Sequence, residues 1–473
     1  MRLIPVSLTL LVLFSFVTSC SEVTKERSLN EKFTAYANHN HSVIISGNVK
    51  VQAFLDNADF KHIPKLNNLI SKELTAFKQG IYLDSGLYFS IEGLLGSQGN
   101  PSEVNVFAPL KNKDSIREKI ASLGLLLEHG KNLDYALGPN FGIGIQENVV
   151  LFHYQEQGTI TSKTFSSIFQ RLNKKARNNV SNMTTNDALR ISTHLDHIYK
   201  LYQKNNAITL DKLKQKEVEK LLSNAKLSTT LTFEKGGITI NTKHQFSENL
   251  KKRMIFDASS NTNYAKLAHG KATLGLSMHL DPLKIQTMLE DFNPEFFEQL
   301  GAMQGNIALG ILAMGDRPVS NLLGGQLAFV YYGSDDSHSA YLTLGDEGRS
   351  ISNLTRSFFS NNPMYNLIIH EKEIAATSKN HTSNRTNLIL PRFANDFGSH
   401  GIDFFFDIHN FNQNQPTLVD EYPFLRVISW IKITATNDGS TIRIQGNHPN
   451  KGILKQVVDA YIELIKSEIS MYS

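Results

Sequence analysis

The chain has 473 residues, of which 41% are hydrophobic and 9% aromatic, a composition that fits a soluble, folded body. Its 48 basic and 44 acidic residues leave a net charge of +4 without a long run of lysine or arginine, which argues against nucleic acid as a partner. A single cysteine excludes an intrachain disulfide, so the fold must be stabilised by packing.

The N-terminus has the pattern of a secretory signal. Arg2 supplies a positive charge, and residues 3–17 form an apolar stretch shorter than the roughly 20 residues of a membrane-spanning helix. Residues 17–20, Val-Thr-Ser-Cys, resemble the lipobox of bacterial lipoproteins, with valine where leucine is usual. The resemblance implies that residues 1–19 are a cleaved lipoprotein signal peptide and that the thiol of Cys20 carries lipid. An ordinary secreted protein with a free thiol is the alternative.

Residues 20–41 are predicted to be a flexible tether. The segment is polar, with few large apolar side chains, and such a composition cannot bury enough surface to fold alone. Ser21 stands where an aspartate would resemble an inner-membrane retention signal, so the pattern favours the outer membrane of the cell envelope. We therefore expect a lipid anchor in which each buried methylene contributes about 0.8 kcal/mol.

The remaining sequence repeats one arrangement of elements. Four segments, starting at residues 42, 188, 272 and 402, each run from an alternating strand through a polar junction into a helix. The elements between them recur in the same order: 87–91 with 327–331, 105–107 with 340–342, 143–151 with 367–375, and 227–240 with 431–444. This order predicts two tandem, duplicated modules, residues 42–264 and 265–473. Each is expected to be an α+β fold of mainly antiparallel sheet with helices packed on one face.

His194 and His197 flank Asp196 at the second of these junctions. Two histidines three residues apart can face the same side of a helix, as metal ligands do. The junctions at 279–281 and 407–409 also contain histidine and aspartate, so the repeat favours polar residues that cap the following helix. On this interpretation the chain has no metal site and no cofactor.

The other candidates for chemistry are weaker. The sequence contains no nucleophile elbow, zinc-hydrolase motif or phosphate loop, so we assign no catalytic residue. The Gly-Asp-Arg patch at 315–317 could place an acid beside a base, but it is interpreted as a solvent-facing turn. Residues 114–116, Asp-Ser-Ile, resemble an acceptor for O-glycosylation in Bacteroidetes-type envelopes and are interpreted as a helix start. The aromatic runs at 296–297 and 404–406 are interpreted as core packing rather than a binding surface.

The lipobox, the junction at 280–283 and the hairpin at 227–240 together resemble a family of large lipoproteins of unknown function from Bacteroidetes-type bacteria. The resemblance implies an envelope location and this fold, and it transfers no activity. One function left open is a non-catalytic binding or structural role with an envelope protein or glycan, through a sheet face or a groove between modules. The other is an enzyme that acts on cell-wall glycan or lipid. An aromatic, uncharged groove would favour the first, which we predict; a histidine–carboxylate pair converging in a deep pocket would favour the second.

Overall fold

The computed structural model is an α+β fold of helices and antiparallel strands. It describes residues 26–95, 101–130, 132–174, 187–204, 212–257, 267–292, 317–333, 335–359, 362–381, 387–414 and 423–471. These residues form two compact units. Unit 1 contains the described residues of 1–235, with 244–247 and 450–458; unit 2 contains those of 236–243, 248–449 and 459–473. The predicted signal peptide, Cys20, residues 296–297 and Asp316 lie outside the described residues.

Unit 1 alternates helices with strands along the chain. Its elements are α1 (Glu26–His39), β1 (Val43–Val49), α2 (Val51–Ala58), a 3₁₀ turn (Phe60–His62), α3 (Pro64–Gly80), β2 (Leu87–Leu95), β3 (Pro101–Pro109), α4 (Lys113–Ser122), β4 (Leu127–His129), β5 (Asp134–Leu137), β6 (Phe141–Gln146), β7 (Val149–Gln155), α5 (Ser162–Leu172), β8 (Leu189–His194), α6 (Leu195–Lys204), α7 (Lys212–Leu222) and β9 (Lys226–Glu234).

The strands of unit 1 form an antiparallel sheet in the order β9–β8–β1–β2–β3–β7–β6–β5–β4. Directly paired residues of antiparallel strands point to the same face. Ser46 of β1 pairs with Ser192 of β8 and with Ser90 of β2. Ser90 pairs in turn with Asn105 of β3, which pairs with His153 of β7. These five side chains cross one face of the sheet and are called the polar row.

Helices cover both faces of this sheet. Phe107 of β3 is buried in a cluster with α1 and α5, whereas its neighbour Ala108 is buried in a cluster with α2, α3 and α4. Successive residues of a strand point to opposite faces, so these clusters lie on opposite sides. The prediction of helices on one face alone therefore does not hold for unit 1, because β3 is apolar on both faces where it ends.

Helix α1 occupies most of the segment that its composition assigned to a flexible tether. Leu29, Phe33 and Tyr36 lie at positions i, i+4 and i+7 of α1 and are each 5% exposed or less. The ring of Phe33 lies 5.3 Å from that of Tyr88 and 5.6 Å from that of Phe107, measured between centroids. The tether prediction is wrong for residues 26–39, because an average over a polar segment hides the helical spacing of its few large side chains.

Unit 2 supplies the remaining elements, apart from the first residues of α13 and the last two of β10. They are β10 (Gly237–Gln245), α8 (Glu248–Lys252), β11 (Gly270–Lys271), β12 (Leu274–His279), α9 (Pro282–Phe292), α10 (Pro318–Leu322), β13 (Leu323–Tyr332), β14 (Ser337–Leu344), α11 (Gly348–Phe359), β15 (Tyr365–Ile369), β16 (Glu373–Ser378), β17 (Leu388–Ile389), a 3₁₀ turn (Arg392–Ala394), β18 (Ile402–Asp407), α12 (Ile408–Asn414), a 3₁₀ turn (Pro423–Arg426), β19 (Ile428–Thr436), β20 (Gly439–Gly446) and α13 (Ile453–Met471).

The main sheet of unit 2 is antiparallel, in the order β10–β20–β19–β18–β12–β13–β14–β16–β15. The four strand-to-helix segments predicted from the sequence are present as β1–α2, β8–α6, β12–α9 and β18–α12. In each unit, the strand of the first segment is flanked by the strand of the second and by the next strand along the chain. Descent of the two units from one duplicated module stays a prediction.

The observed division of the chain differs from the predicted boundary between residues 264 and 265. Strand β10 pairs with β20 from Gly237 to Lys243, which assigns this stretch to unit 2. The backbone N–H of Leu454 donates to the Oδ1 atom of Asn57 at 2.9 Å, which helps to hold residues 450–458 in unit 1. Each unit is therefore built from separate stretches of the sequence, with residues 236–243 in unit 2 and residues 450–458 in unit 1.

Among the helices that the structure describes, none is both long and apolar enough to cross a membrane.

Replacing Phe33 by alanine tests whether α1 belongs to the folded body. We expect a loss of about 3–5 kcal/mol in the free energy of unfolding, because the substitution empties a buried aromatic site. Chemical denaturation measures this loss, with exposed Glu31→Ala in the same helix as the control. If the two variants were equally stable, residues 26–39 would not be packed on the folded body and would be a tether, as the sequence predicted.

Candidate functional site

A cluster of two histidines and one aspartate lies where β8 passes into α6 without an intervening loop. His194, two residues beyond Ser192, points to the same face as the polar row. Its Nε2 atom lies 3.2 Å from the Oγ atom of Ser46. His194 is 1% exposed, so the cluster begins inside the protein rather than at its surface.

His197 completes the first turn of α6 and is held against β1. The Nδ1–H group of His197 donates to the carbonyl oxygen of Val43 at 2.7 Å. This bond fixes the tautomer, because the lone pair is then left on Nε2. The rings of His194 and His197 stack with centroids 4.8 Å apart and an angle of 11° between their planes.

Asp196 lies between the two histidines in sequence and is 8% exposed. Its Oδ2 atom is 3.9 Å from Nε2 of His197, and its Oδ1 atom has no hydrogen-bond partner among the described residues. Ligand atoms of these three side chains all lie within 4.8 Å of one another. They are called the His–Asp cluster below.

The capping interpretation holds at two junctions and fails at the third. Oδ1 of Asp281 accepts from the backbone N–H groups of Leu283 and Lys284, and Oδ1 of Asp407 accepts from that of Asn410. Both are helix caps, as expected. Asp196 instead follows the start of α6, and its Oδ1 atom has no backbone N–H partner among the described residues. The sequence interpretation is wrong here because α6 begins at Leu195, two residues earlier than the repeat implied.

Burial keeps both histidines neutral. It lowers the pKa of His194 to about 3, helped by the nearby Lys226 ammonium and by His197. Burial also lowers the pKa of His197, which the carbonyl of Val43 and the Asp196 carboxylate partly oppose. Lys226 has its own pKa lowered by burial, and its Nζ donates to the Oδ1 atom of Asn38 at 2.6 Å. Neutral imidazoles keep a lone pair available for a ligand.

A second buried polar group lies beside the polar row and centres on Glu92, which is 2% exposed. Its Oε1 atom accepts from Asn105 Nδ2 at 2.7 Å, from Ser90 Oγ at 3.2 Å and from the hydroxyl of Tyr36. Its Oε2 atom accepts from Asn40 Nδ2 at 2.9 Å. The carboxylate is therefore saturated with donors.

Arg171 supplies the charge that balances Glu92. Its guanidinium lies 3.4 Å from Oε2 of Glu92 and 5.7 Å from the ring centroid of Tyr36. Burial raises the pKa of Tyr36, as does the Glu92 carboxylate, so the hydroxyl keeps its proton and remains a donor. A carboxylate held by this many donors is suited to joining α1, β2, β3 and α5 rather than to attacking a substrate. The sequence signal, missed earlier, was a set of polar residues at inward positions of neighbouring strands.

One face of the main sheet in unit 2 carries a block of apolar side chains on seven strands, bordered on the same face by Tyr331 with His338 and by Thr242 with Ser440. In one row, Ile240, Ile442, Ile433, Phe404, Leu276, Phe329 and Ala340 are aligned by strand register. In the flanking rows, the aligned residues are Ile238, Ile444, Ile431, Phe406 and Leu274 on one side and Ile402, Met278, Leu327 and Leu342 on the other. This set is called the apolar face.

The side chains of the apolar face are only partly buried, and Leu327 is 37% exposed. The opposite face is buried more completely: Phe405 is 1% exposed and lies in the core of unit 2 with Val330 and Tyr332. The aromatic run at 404–406 is therefore divided between the two faces. Phe405 packs in the core, as expected, whereas Phe404 and Phe406 point to the apolar face.

Two other sequence candidates lie at the starts of helices. Asp114 and Ser115 lie in the first turn of α4, where their backbone N–H groups donate to the side chain of Asn112 at 2.9 and 3.1 Å. Asn112, just before the predicted start, is thus the helix cap. Arg317 directly precedes α10 and is exposed, in agreement with a solvent-facing position.

Comparisons with known proteins give little further information. No protein-family model and no curated protein matches the chain. Among solved structures, the treponemal protein TP0453 in crystal form I matches with a TM-score of 0.28 and 9% identity, over 48% of this chain and 81% of that one. Crystal form III matches with a TM-score of 0.26 and 8% identity, over 44% and 80%. Similarity at this level establishes neither a shared fold nor a shared function.

Replacing Glu92 by alanine tests the role of its network. We expect a loss of about 1–3 kcal/mol in the free energy of unfolding, because the buried donor groups of Tyr36, Ser90 and Asn105 would lose their acceptor. Thermal and chemical denaturation measure it, with exposed Glu118→Ala as the control. A change below about 1 kcal/mol would mean that the network contributes little to the fold.

Proposed function

We propose that the chain is a lipid-anchored protein of the bacterial cell envelope with a non-catalytic binding role. On this proposal Cys20 is acylated after removal of residues 1–19, and the protein is held at the outer membrane. It would belong with the large Bacteroidetes-type lipoproteins that its sequence resembles. The support for the anchor is the charged start, the apolar stretch and the small residues directly before the one cysteine.

The observation that carries the binding role is the apolar face. Seven strands at a spacing of about 4.8 Å span about 29 Å, and five residues along a strand span about 13 Å, or roughly 400 Å² together. Partly exposed apolar patches of this order often mark functional surfaces on monomeric proteins. The face therefore supports a contact that removes aliphatic and aromatic groups from water.

The chemistry of the apolar face favours a protein partner over a glycan. Sugars are bound through hydroxyl groups, which need hydrogen-bond donors and acceptors on the protein, and the face as defined offers only carbon-rich side chains and the thioether of Met278. An envelope protein with an apolar surface of its own could bind here, because contact would remove both apolar surfaces from water. We therefore assign the face to such a protein.

An enzyme acting on cell-wall glycan or lipid is the second candidate, and the His–Asp cluster is the observation that favours it. A histidine–carboxylate pair can transfer protons in hydrolysis. All three residues are 8% exposed or less, however, so a polymeric substrate could not reach them without a rearrangement of α6. Burial thus favours the binding role.

Replacing Cys20 by serine tests the anchor. We expect the protein to move from the membrane fraction to the soluble fraction, because a hydroxyl group cannot be joined to lipid through a thioether. Fractionation with immunoblotting measures the shift, and mass spectrometry of the wild-type N-terminus identifies the acyl chains. Ser19→Ala, which keeps a small residue before the cysteine, is the control. A wild-type protein that retains its leader or a free thiol would contradict the anchor.

Introducing charge on the apolar face tests the binding role. We expect the double variant Leu327→Lys and Ile442→Lys to lose proteins that co-purify with the wild type after crosslinking in intact cells. The control is Ile368→Lys, which adds the same charge at a 56% exposed isoleucine outside the face. Circular dichroism verifies that both variants fold. If both variants recovered the same co-purifying proteins as the wild type, the apolar face would not be the binding surface. Turnover of a cell-wall glycan by the purified protein would favour the enzyme instead.

A further inference from the structure

We propose that His194, Asp196 and His197 bind a divalent transition-metal ion of the Zn²⁺ type. Two imidazole nitrogens and one carboxylate oxygen are a ligand set that Zn²⁺ accepts, with a fourth position for water or another donor. This inference does not depend on the lipid anchor or on the apolar face. It replaces the sequence interpretation that the three residues are helix caps.

Two unsatisfied atoms point to a ligand between these side chains. Oδ1 of Asp196 and Nδ1 of His194 are buried, and neither has a hydrogen-bond partner among the described residues. Asp196 is 8% exposed and His194 is 1% exposed, so the two residues are 92% and 99% buried. Burying a polar atom without a partner is costly, and a bound cation would satisfy both atoms at once.

The surroundings orient the donors as metal sites require. The backbone carbonyl of Val43 accepts from Nδ1–H of His197, which leaves Nε2 free to bind the ion. The Oγ atom of Ser46 lies 3.2 Å from Nε2 of His194, so Nδ1 is the nitrogen of that ring which would bind the ion. Hydrogen bonds of this kind to the second ring nitrogen are a regular feature of metal-binding histidines.

Binding an ion would require the two rings, now stacked with 11° between their planes, to tilt toward each other as the donors close in. The three ligand atoms lie within 4.8 Å of one another, whereas donors in a tetrahedral site with bonds of 2.0–2.1 Å are about 3.4 Å apart. A rotation of the Asp196 carboxylate toward Nε2 of His197, now 3.9 Å away, would shorten that separation. The exposed ring of His41, whose centroid lies 4.8 Å from that of His197, marks the side nearest to solvent.

The positive charge of Lys226 would weaken binding of a cation, and this provides a test of the proposal. Lys226 of β9 is paired directly with His194 of β8, so its ammonium lies near the cluster and would repel a bound cation. Since its Nζ atom is held by Asn38, it is placed to tune the affinity rather than to prevent binding. Lys226→Met should therefore bind the ion more tightly than the wild type.

Every sample in the experiment is the full chain with Cys20→Ser, so that the one thiol cannot bind metal, and carries no histidine tag. This parent protein is called wild type below. After chelation and dialysis, Co²⁺ is titrated and followed by its visible absorption bands, and Zn²⁺ is added in competition. We expect one equivalent to bind, with a rise in the melting temperature. Asp196→Asn and His197→Gln should abolish the bands, and Ser46→Ala should weaken binding about tenfold.

His409→Gln is the matched control, because it removes an exposed histidine at the corresponding junction of unit 2. We expect it to bind like the wild type. If Asp196→Asn fails to fold, Ser46→Ala decides, since it keeps all three ligands. Absence of binding by the wild type, or equal affinity in Asp196→Asn, Ser46→Ala and wild type, would overturn the proposal.

Discussion

Unit 1 depends on the register of β1 with its two neighbours. Ser46 pairs with both Ser90 and Ser192, so every second residue of β2 and β8 is fixed to the same face as the polar row. Glu92 lies on this face, where the pairing of β2 with β3 places it beside Asn105, and His194 lies beside Ser46. A shift of β1 by one residue would turn Ser46 to the opposite face and remove its contact with His194.

The two units differ in what their sheets bury. In unit 1, polar and charged groups are buried and joined to one another, which specifies how α1 and α5 pack on the sheet. In unit 2, the apolar face keeps its large side chains partly exposed, whereas Phe405, Val330 and Tyr332 on the opposite face are buried in the core. A sheet whose aliphatic side is the less buried one gains free energy when that side is covered, which is why we assign it to a partner.

Strands and hairpins were predictable because their signal is local. Alternation of apolar residues and turn residues such as Gly236 identified β9 with β10 and β19 with β20, and the strand-to-helix junctions followed from the same pattern. Helix α1 was missed because Leu29, Phe33 and Tyr36 form a helical stripe inside a segment whose average composition is polar. Its stability comes from Phe107 and Tyr88, which are distant in sequence.

The candidate site was predictable only in part. The spacing of His194 and His197 was visible, but whether Asp196 precedes or follows the first helical residue decides between a cap and a ligand. That choice depends on where β8 ends. The Glu92 network could not be assembled from sequence at all, because its members come from α1, β2, β3 and α5, which are brought together only by strand pairing and helix packing.

The placement of residues 450–458 has a consequence for biosynthesis. They belong to unit 1, where Lys455 pairs with Asp59 at 3.1 Å, although almost the whole chain lies between the two. A ribosome releases the N-terminal part of unit 1 long before these residues exist, so that unit must wait in an unfinished state. Premature stop codons near the C-terminus would thus damage the region translated first, and a holdase chaperone would be most useful to this protein during that interval.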